Sequence, residues 1–321
     1  MSLTAKTSLT ISLVAVIWLA CTPVAAAAPI TALAFSPDET SVIAGSQSGI
    51  EIHSWPQLET TSKLDVEFGS IHDLIFSPNG RYLMIVGGVA SEFGEWQIFS
   101  WPSLNVVAKS IAHDDSIHSA AWIDENRFVT VGVDSKWIVW RLNGKTAEQL
   151  VEWAGHSRGV LAVEALRDKD FFVTAGVDQI LRVWPGDVTE HKSPQALRNL
   201  DNHTGPVCDL ALRPGRQPQP MVASASVDRT VRLWQPIIGR LVKFARVPVE
   251  PTCLAWSRDG SRLAAGCADG SLRIINPATV QIDQTCHGID GWIHSVASAN
   301  DGSFAVGGTG GQITRVMPSN H

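Results

Sequence analysis

Four residue types recur at one spacing, three times over, in the middle of this chain. His113, Thr130, Asp134 and Trp140 make the first set, His156, Thr174, Asp178 and Trp184 the second, and His203, Ser224, Asp228 and Trp234 the third. In each set the hydroxyl stands four residues before the Asp, and the Asp six before the Trp. Each His lies four residues ahead of an apolar residue: Ile117, Val160 or Val207. Between these fixed points, alternating apolar residues are cut by turn residues, which reads as short antiparallel strands. Self-similarity at a fixed period constrains a fold strongly, because one unit cannot bury its apolar face alone and must stack on its neighbours.

The period extends in both directions. First strands are expected to begin near Ile30, Ile71, Ile117, Val160, Val207, Pro251 and Ile293, at intervals from 41 residues (30 to 71) to 47 (160 to 207). A four-stranded unit takes ~40–45 residues. Seven such units account for residues 27–321 as a single domain. A chain that is 45% hydrophobic with 26 Gly and 17 Pro suits an all-β protein with many turns.

The ordered set of His, Thr or Ser, Asp and Trp resembles the WD-repeat β-propeller family, and the resemblance covers nearly the whole chain after residue 29. It implies a seven-bladed β-propeller of four-stranded antiparallel blades. The name-giving Trp-Asp pair is missing, since Arg141, Pro185 and Gln235 follow the three Trp residues. A turn Asp can accept from a His ring, the ring from a hydroxyl, and the hydroxyl from an indole N–H, so the four types form a buried relay in which every polar group is satisfied. The same types could build a hydrolase triad. Three copies at one structural position argue for a structural cement instead.

The other blades lack the full set. Blades one and two carry Phe35-Ser36-Pro37-Asp38 and Phe76-Ser77-Pro78-Asn79-Gly80, and both repeat Ser-Trp-Pro at 54–56 and 100–102. Blade six keeps Asp269 but has Ala265 and Ile275 in place of the hydroxyl and the indole. Blade seven is aligned with Gly307, Gly311 and Met317 at these places. The relay is therefore expected in blades three to five only, with packing alone holding the rest. Too few residues follow Met317 for another strand, so the seventh blade is expected to have three strands and a free edge open to strand addition by a partner.

Residues 1–26 differ in kind. Lys6 precedes an apolar run from Leu9 to Ala20 and then small residues, the order of a secretory signal. The chain is expected to be exported, to the periplasm or outside the cell, as a bacterial-type member. A run of twelve residues is too short to span a bilayer comfortably. A lipid anchor through Cys21 is the alternative, but Trp18 stands where such signals favour a small aliphatic residue. Retention of the apolar run as a fourth strand of blade seven would overturn the export reading.

A net charge of −6 leaves no broad basic footprint for nucleic acid. Cys208, Cys253, Cys267 and Cys286 are too few to frame a chain this long, and they read as free thiols, although Cys253 and Cys267 lie on adjacent strands and could meet. Cys286-His287 lacks the second Cys that haem attachment needs. No cofactor motif and no metal motif occurs.

Two patterns bear on function. His72, His118 and His294 each take the second place of an inner strand, where they could converge at the channel mouth as metal ligands or catalytic groups, the alternative reading. Val133, Val177 and Val227 each precede a relay Asp, at the place where propellers of the resembled family meet partners. With Trp137, Arg158 and Asp115 they would form an apolar patch with a charged rim. β-branched residues also simply suit a strand end. The preferred reading is a binding or scaffolding module for another protein or peptide, without catalysis.

Overall fold

The computed structural model describes residues 27–187 and 194–319, and the expected leader over 1–26 lies outside them, together with the Cys21 anchor and the alternative use of the apolar run. The described residues form a seven-bladed β-propeller. Six blades are four-stranded antiparallel sheets and the seventh has three strands. Two 3-10 turns, Arg167–Lys169 and Thr309–Gly311, are the helical elements among the described residues.

The inner strands of the seven blades are Ala32–Phe35, Ser70–Phe76, Ile117–Trp122, Val160–Leu166, Val207–Leu212, Pro251–Trp256 and Ile293–Ser298. Each opens on or beside an apolar residue, since the side chains there must leave the channel for the blade interface. The second strands that follow are almost wholly buried, as in Val222–Ser226 and Phe304–Gly308. Outer strands alternate or are exposed, as in Ile282–His287, because they border solvent on one face.

Blades interlock through a small residue that receives a large one. Ile71 of blade two, Ile293 of blade seven and Ile30 of blade one each fill the space where a Cβ on Gly45, Gly266 or Gly307 would sit, at 2.7, 2.6 and 2.7 Å from the nearest Ile carbon. The last of these contacts closes the ring. Ile30 N donates to Gly308 O at 3.0 Å, and Ile30, Leu33, Phe35, Val42 and Ala44 share one core with Ala299 and Ala305 of blade seven. Closure thus runs between the start of blade one and the second strand of blade seven.

The third strand of blade seven, Ile313–Val316, pairs on one side with Phe304–Gly308 and has no described strand on the other. Its register corrects the alignment of this blade by one residue. Val306 pairs with Thr314 and Phe304 with Val316, as Thr130 pairs with Ile138 and Phe128 with Trp140 in blade three. Val306 and Val316, not Gly307 and Met317, therefore occupy the hydroxyl and indole places. The bulge between Ile293 and Ser295 recurs between Ile117 and Ser119 of blade three and leaves the count unchanged; the shift comes from the turn joining inner and second strands, whose length differs from blade to blade.

The Ser-Trp-Pro echo is a shared packing device. Trp55 meets Phe35 edge-on at 4.8 Å and Trp101 meets Phe76 edge-on at 5.2 Å. In both blades the indole seals the end of the inner strand.

Candidate docking face and channel

The three polar relays lie inside blades three, four and five. In blade four Trp184 Nε1 donates to Thr174 Oγ1 at 2.8 Å, the hydroxyl meets His156 Nε2 at 2.7 Å, and His156 Nδ1 meets Asp178 Oδ1 at 2.9 Å. Blade three repeats the chain from Trp140 to Thr130, His113 and Asp134 at 3.1, 2.9 and 3.0 Å. In blade five it runs from Trp234 to Ser224, His203 and Asp228 at 2.9, 2.7 and 2.8 Å. Burial holds His156 and His203 below the ordinary imidazole range. In blade five a neutral ring with its proton on Nδ1 satisfies both neighbours, and in blade four Arg182 Nη1 also stands 2.6 Å from His156 Nδ1. Burial pushes Asp178 and Asp228 upward, but hydrogen bonds from the rings, and from Thr230 in blade five, outweigh it and keep both carboxyls below their usual range. All three His side chains are fully buried. No substrate reaches these hydroxyls, so the sets hold the blades and offer no nucleophile.

Packing is not the sole device elsewhere. In blade six Arg273 takes the part of the missing His, and its guanidinium grips Asp269 through two bonds of 3.1 and 2.8 Å. Arg182 and Arg232 reach Asp178 and Asp228 from the same position, four residues past the Asp. That Asp-to-Arg spacing is visible in the sequence.

The inner strands carry a second set of clips, from each blade to the next. Asp73 Oδ2 accepts from Ser119 Oγ at 3.0 Å and Ala120 N at 3.2 Å, Glu164 Oε1 from Leu212 N at 3.1 Å, and Asp209 Oδ2 from Leu254 N at 2.7 Å. Thr252 Oγ1 donates to Ile293 O at 2.5 Å, and Thr31 Oγ1 donates likewise to Ile71 O. Burial raises the three acids, Asp73 to about 6, Glu164 to about 7 and Asp209 to about 8. The sequence held a signal for two of them, since Asp73 and Asp209 each stand two residues after the apolar residue, Ile71 or Val207, that begins the repeat.

These acids line an axial cavity of about 600 Å³ together with His72, His118 and His294. His72 and His118 stack face to face, with centroids 4.4 Å apart and planes 10° from parallel. The nitrogen lone pairs of parallel rings lie in separate planes and do not point at one ion. Burial and the neighbouring His118 bring His72 down to about 4, and burial lowers His118 and His294 as well. His294 lies apart from that pair, beside Trp292 at 6.4 Å.

Val133, Val177 and Val227 stand at one station of successive blades, in the turns between second and third strands. Val227 is 38% exposed, and the other two are half-buried. Arg158 is exposed beside Val133, whose side chain packs on the Gly159 backbone. Asp115 is partly occupied, as its Oδ1 accepts from Ser91 N and Ser116 N, each at 2.7 Å. Trp137 requires correction: it is fully buried, edge-on to Phe172 at 5.2 Å and close to Trp184, so it belongs to the interface of blades three and four and offers a partner nothing. The aromatic residue that does reach the surface here is Trp292, 54% exposed at the start of the last inner strand and lining the channel. Its position directly after Gly291, ahead of Ile293-His294, marked it as a loop-end residue.

Cys208, Cys253, Cys267 and Cys286 are free thiols. Among the described residues no helix is long and apolar enough to cross a membrane.

Fold and site together define a propeller whose polar sets are structural and whose channel end is open. The family described as WD domain, G-beta repeat matches residues 147–185, 194–235 and 246–276. The chain is similar to telomerase protein component 1 of Rattus norvegicus, 26% identical over 271 residues, covering 82% of this chain and 10% of that protein. It is similar to protein HIR1 of Chaetomium globosum, 24% identical over 300 residues, 64% of this chain and 27% of that one. Protein transport protein sec13 of Aspergillus oryzae is 33% identical over 107 residues, 32% of this chain and 36% of that protein. The chain thus spans between about a tenth and about a third of the length of these relatives.

Proposed function

We propose that the protein is a non-catalytic binding module, exported in the manner of a bacterial-type secreted or periplasmic protein, that holds another protein on the end of the ring where the inner strands begin. The observation that carries the reading is the apolar station of Val133, Val177 and Val227 at this end, with exposed Trp292 at the channel mouth. Exposed aromatic and aliphatic groups ringed by polar loops are the usual composition of a docking face. The stacked His72 and His118 weigh against the rival metal or catalytic channel. The open edge of Ile313–Val316 is a second contact, where an extended segment of the partner can add as a strand.

Val177→Glu places a charge in the patch without touching the core. It should abolish capture of the partner from the native extracellular or envelope fraction while the variant stays folded and soluble. Undiminished capture overturns the docking face. N-terminal sequencing of the native protein tests export: a start near Ala27 supports it, and a start at Ser2 refutes it.

A further inference from the structure

The two ends of the ring differ in charge. At the end where inner strands begin, Glu67, Glu92, Asp114, Asp201, Glu250 and Asp290 are exposed in the loops and turns. The exposed cations there are Arg158 and Arg229, with Arg246 at the outer margin. Asp114 is bridged by Lys136 at 2.8 Å and Asp290 faces His287 at 3.6 Å, while Glu67, Glu92, Asp201 and Glu250 have no ion pair among the described residues. At the opposite end acids and guanidiniums neutralise one another: Arg127 with Asp124 and Asp170, Arg258 with Glu39, Arg315 with Asp301. The excess negative charge of the chain therefore faces the channel mouth.

The mouth itself continues this chemistry inward. Trp292 stands exposed at its edge. Asp73 lies two residues below Ile71 in the inner strand of blade two, or roughly 7 Å at strand rise, within reach of a long side chain entering from above. His72, His118 and His294 are kept uncharged by burial and do not repel a cation. Arg167 lines the cavity too, but it closes the far end, where its Nε donates to Trp122 O at 3.0 Å and it faces Glu164. A cation over an indole face and beside carboxylates is favoured by both.

We infer that the partner presents an extended segment of protein bearing lysine or arginine, which lies on the acidic rim and Trp292 and sends one cationic side chain into the channel mouth toward Asp73. The inference rests on the docking face proposed above and names the chemistry of its occupant.

The test uses the full chain and three fluorescein-labelled peptides of equal length, one rich in arginine, one neutral and one rich in glutamate, followed by fluorescence anisotropy. The arginine peptide should bind, and its Kd should rise at least several-fold when salt is taken from ~50 to ~200 mM. Trp292→Ala and Asp73→Asn should each weaken it by about tenfold. Glu39→Gln, at the opposite end, should leave it unchanged. Asp73 also clips two blades, so Asp290→Asn on the rim serves if that variant does not fold, with an expected weakening of a few-fold. Equal affinity for the three peptides, no affinity for the arginine peptide, or binding indifferent to Trp292→Ala overturns the inference. Loss of partner capture in Val177→Glu alongside indifference to basic peptides would leave the docking face standing and remove only its cationic occupant.

Discussion

Trp137 and Trp184 pack against each other across blades three and four, 5.2 Å between ring centroids, yet their indole nitrogens have opposite fates. Trp184 Nε1 donates to a relay hydroxyl, whereas Trp137 Nε1 is buried with no hydrogen-bond partner. Removing a satisfied donor strands the group it served, while removing an unsatisfied one relieves a cost. Trp184→Phe should therefore destabilise the protein by about 1–3 kcal/mol, and Trp137→Phe by less than half of that, the remainder being lost packing volume. Chemical denaturation of both variants measures the contrast, and equal losses would contradict it. Asp178→Ala should cost at least as much as Trp184→Phe, since it also leaves Arg182 without its carboxylate.

At the scale of the element, the glycines that receive an isoleucine decide how closely blades approach. A Cβ on Gly307 would stand 2.7 Å from Ile30 Cγ2 and 3.1 Å from Leu33 Cδ1, at the one interface that joins the two ends of the ring. Gly307→Val should cost about 1–3 kcal/mol by overpacking. The loss should appear as early exchange of the amide protons of Ile293–Ser298 and Ala32–Phe35. Unchanged exchange in those strands would mean that the ring is held shut by something else. Among the described residues Ile313–Val316 has no strand on its outer side. Its amides should become protected when the partner binds, if it contributes a strand.

For the whole molecule, two sets of buried carboxyls pull stability in opposite directions with pH. Asp178 and Asp228 titrate below their ordinary range in the fold, so their contribution is present above about pH 4 and is lost as pH falls further. Asp73, Glu164 and Asp209 are raised to about 6, 7 and 8, so their contribution is complete below about pH 4 and is lost as pH rises through that window. Stability should fall between pH 5 and pH 8.5, and Asp209→Asn should fall less steeply than the native chain. A parallel decline in the two would show that Asp209 ionises in the fold as it does in water.

The sequence by itself determined the number of blades, the start of each inner strand and the membership of the three relays. Those depend on local alternation and on residue types recurring at a fixed distance, and both survive in one dimension. Tertiary structure alone decided which groups meet across blades. Asp73 and Asp209 look like isolated polar residues until the next blade brings an N–H to each. Trp137 looks like a surface aromatic until Phe172 of the following blade covers it, and the pairing of Val306 with Thr314 puts Val306 in the place that counting gives to Gly307. The spacing of residues along one strand is set by covalent geometry, whereas the burial of a side chain depends on what another blade lays over it.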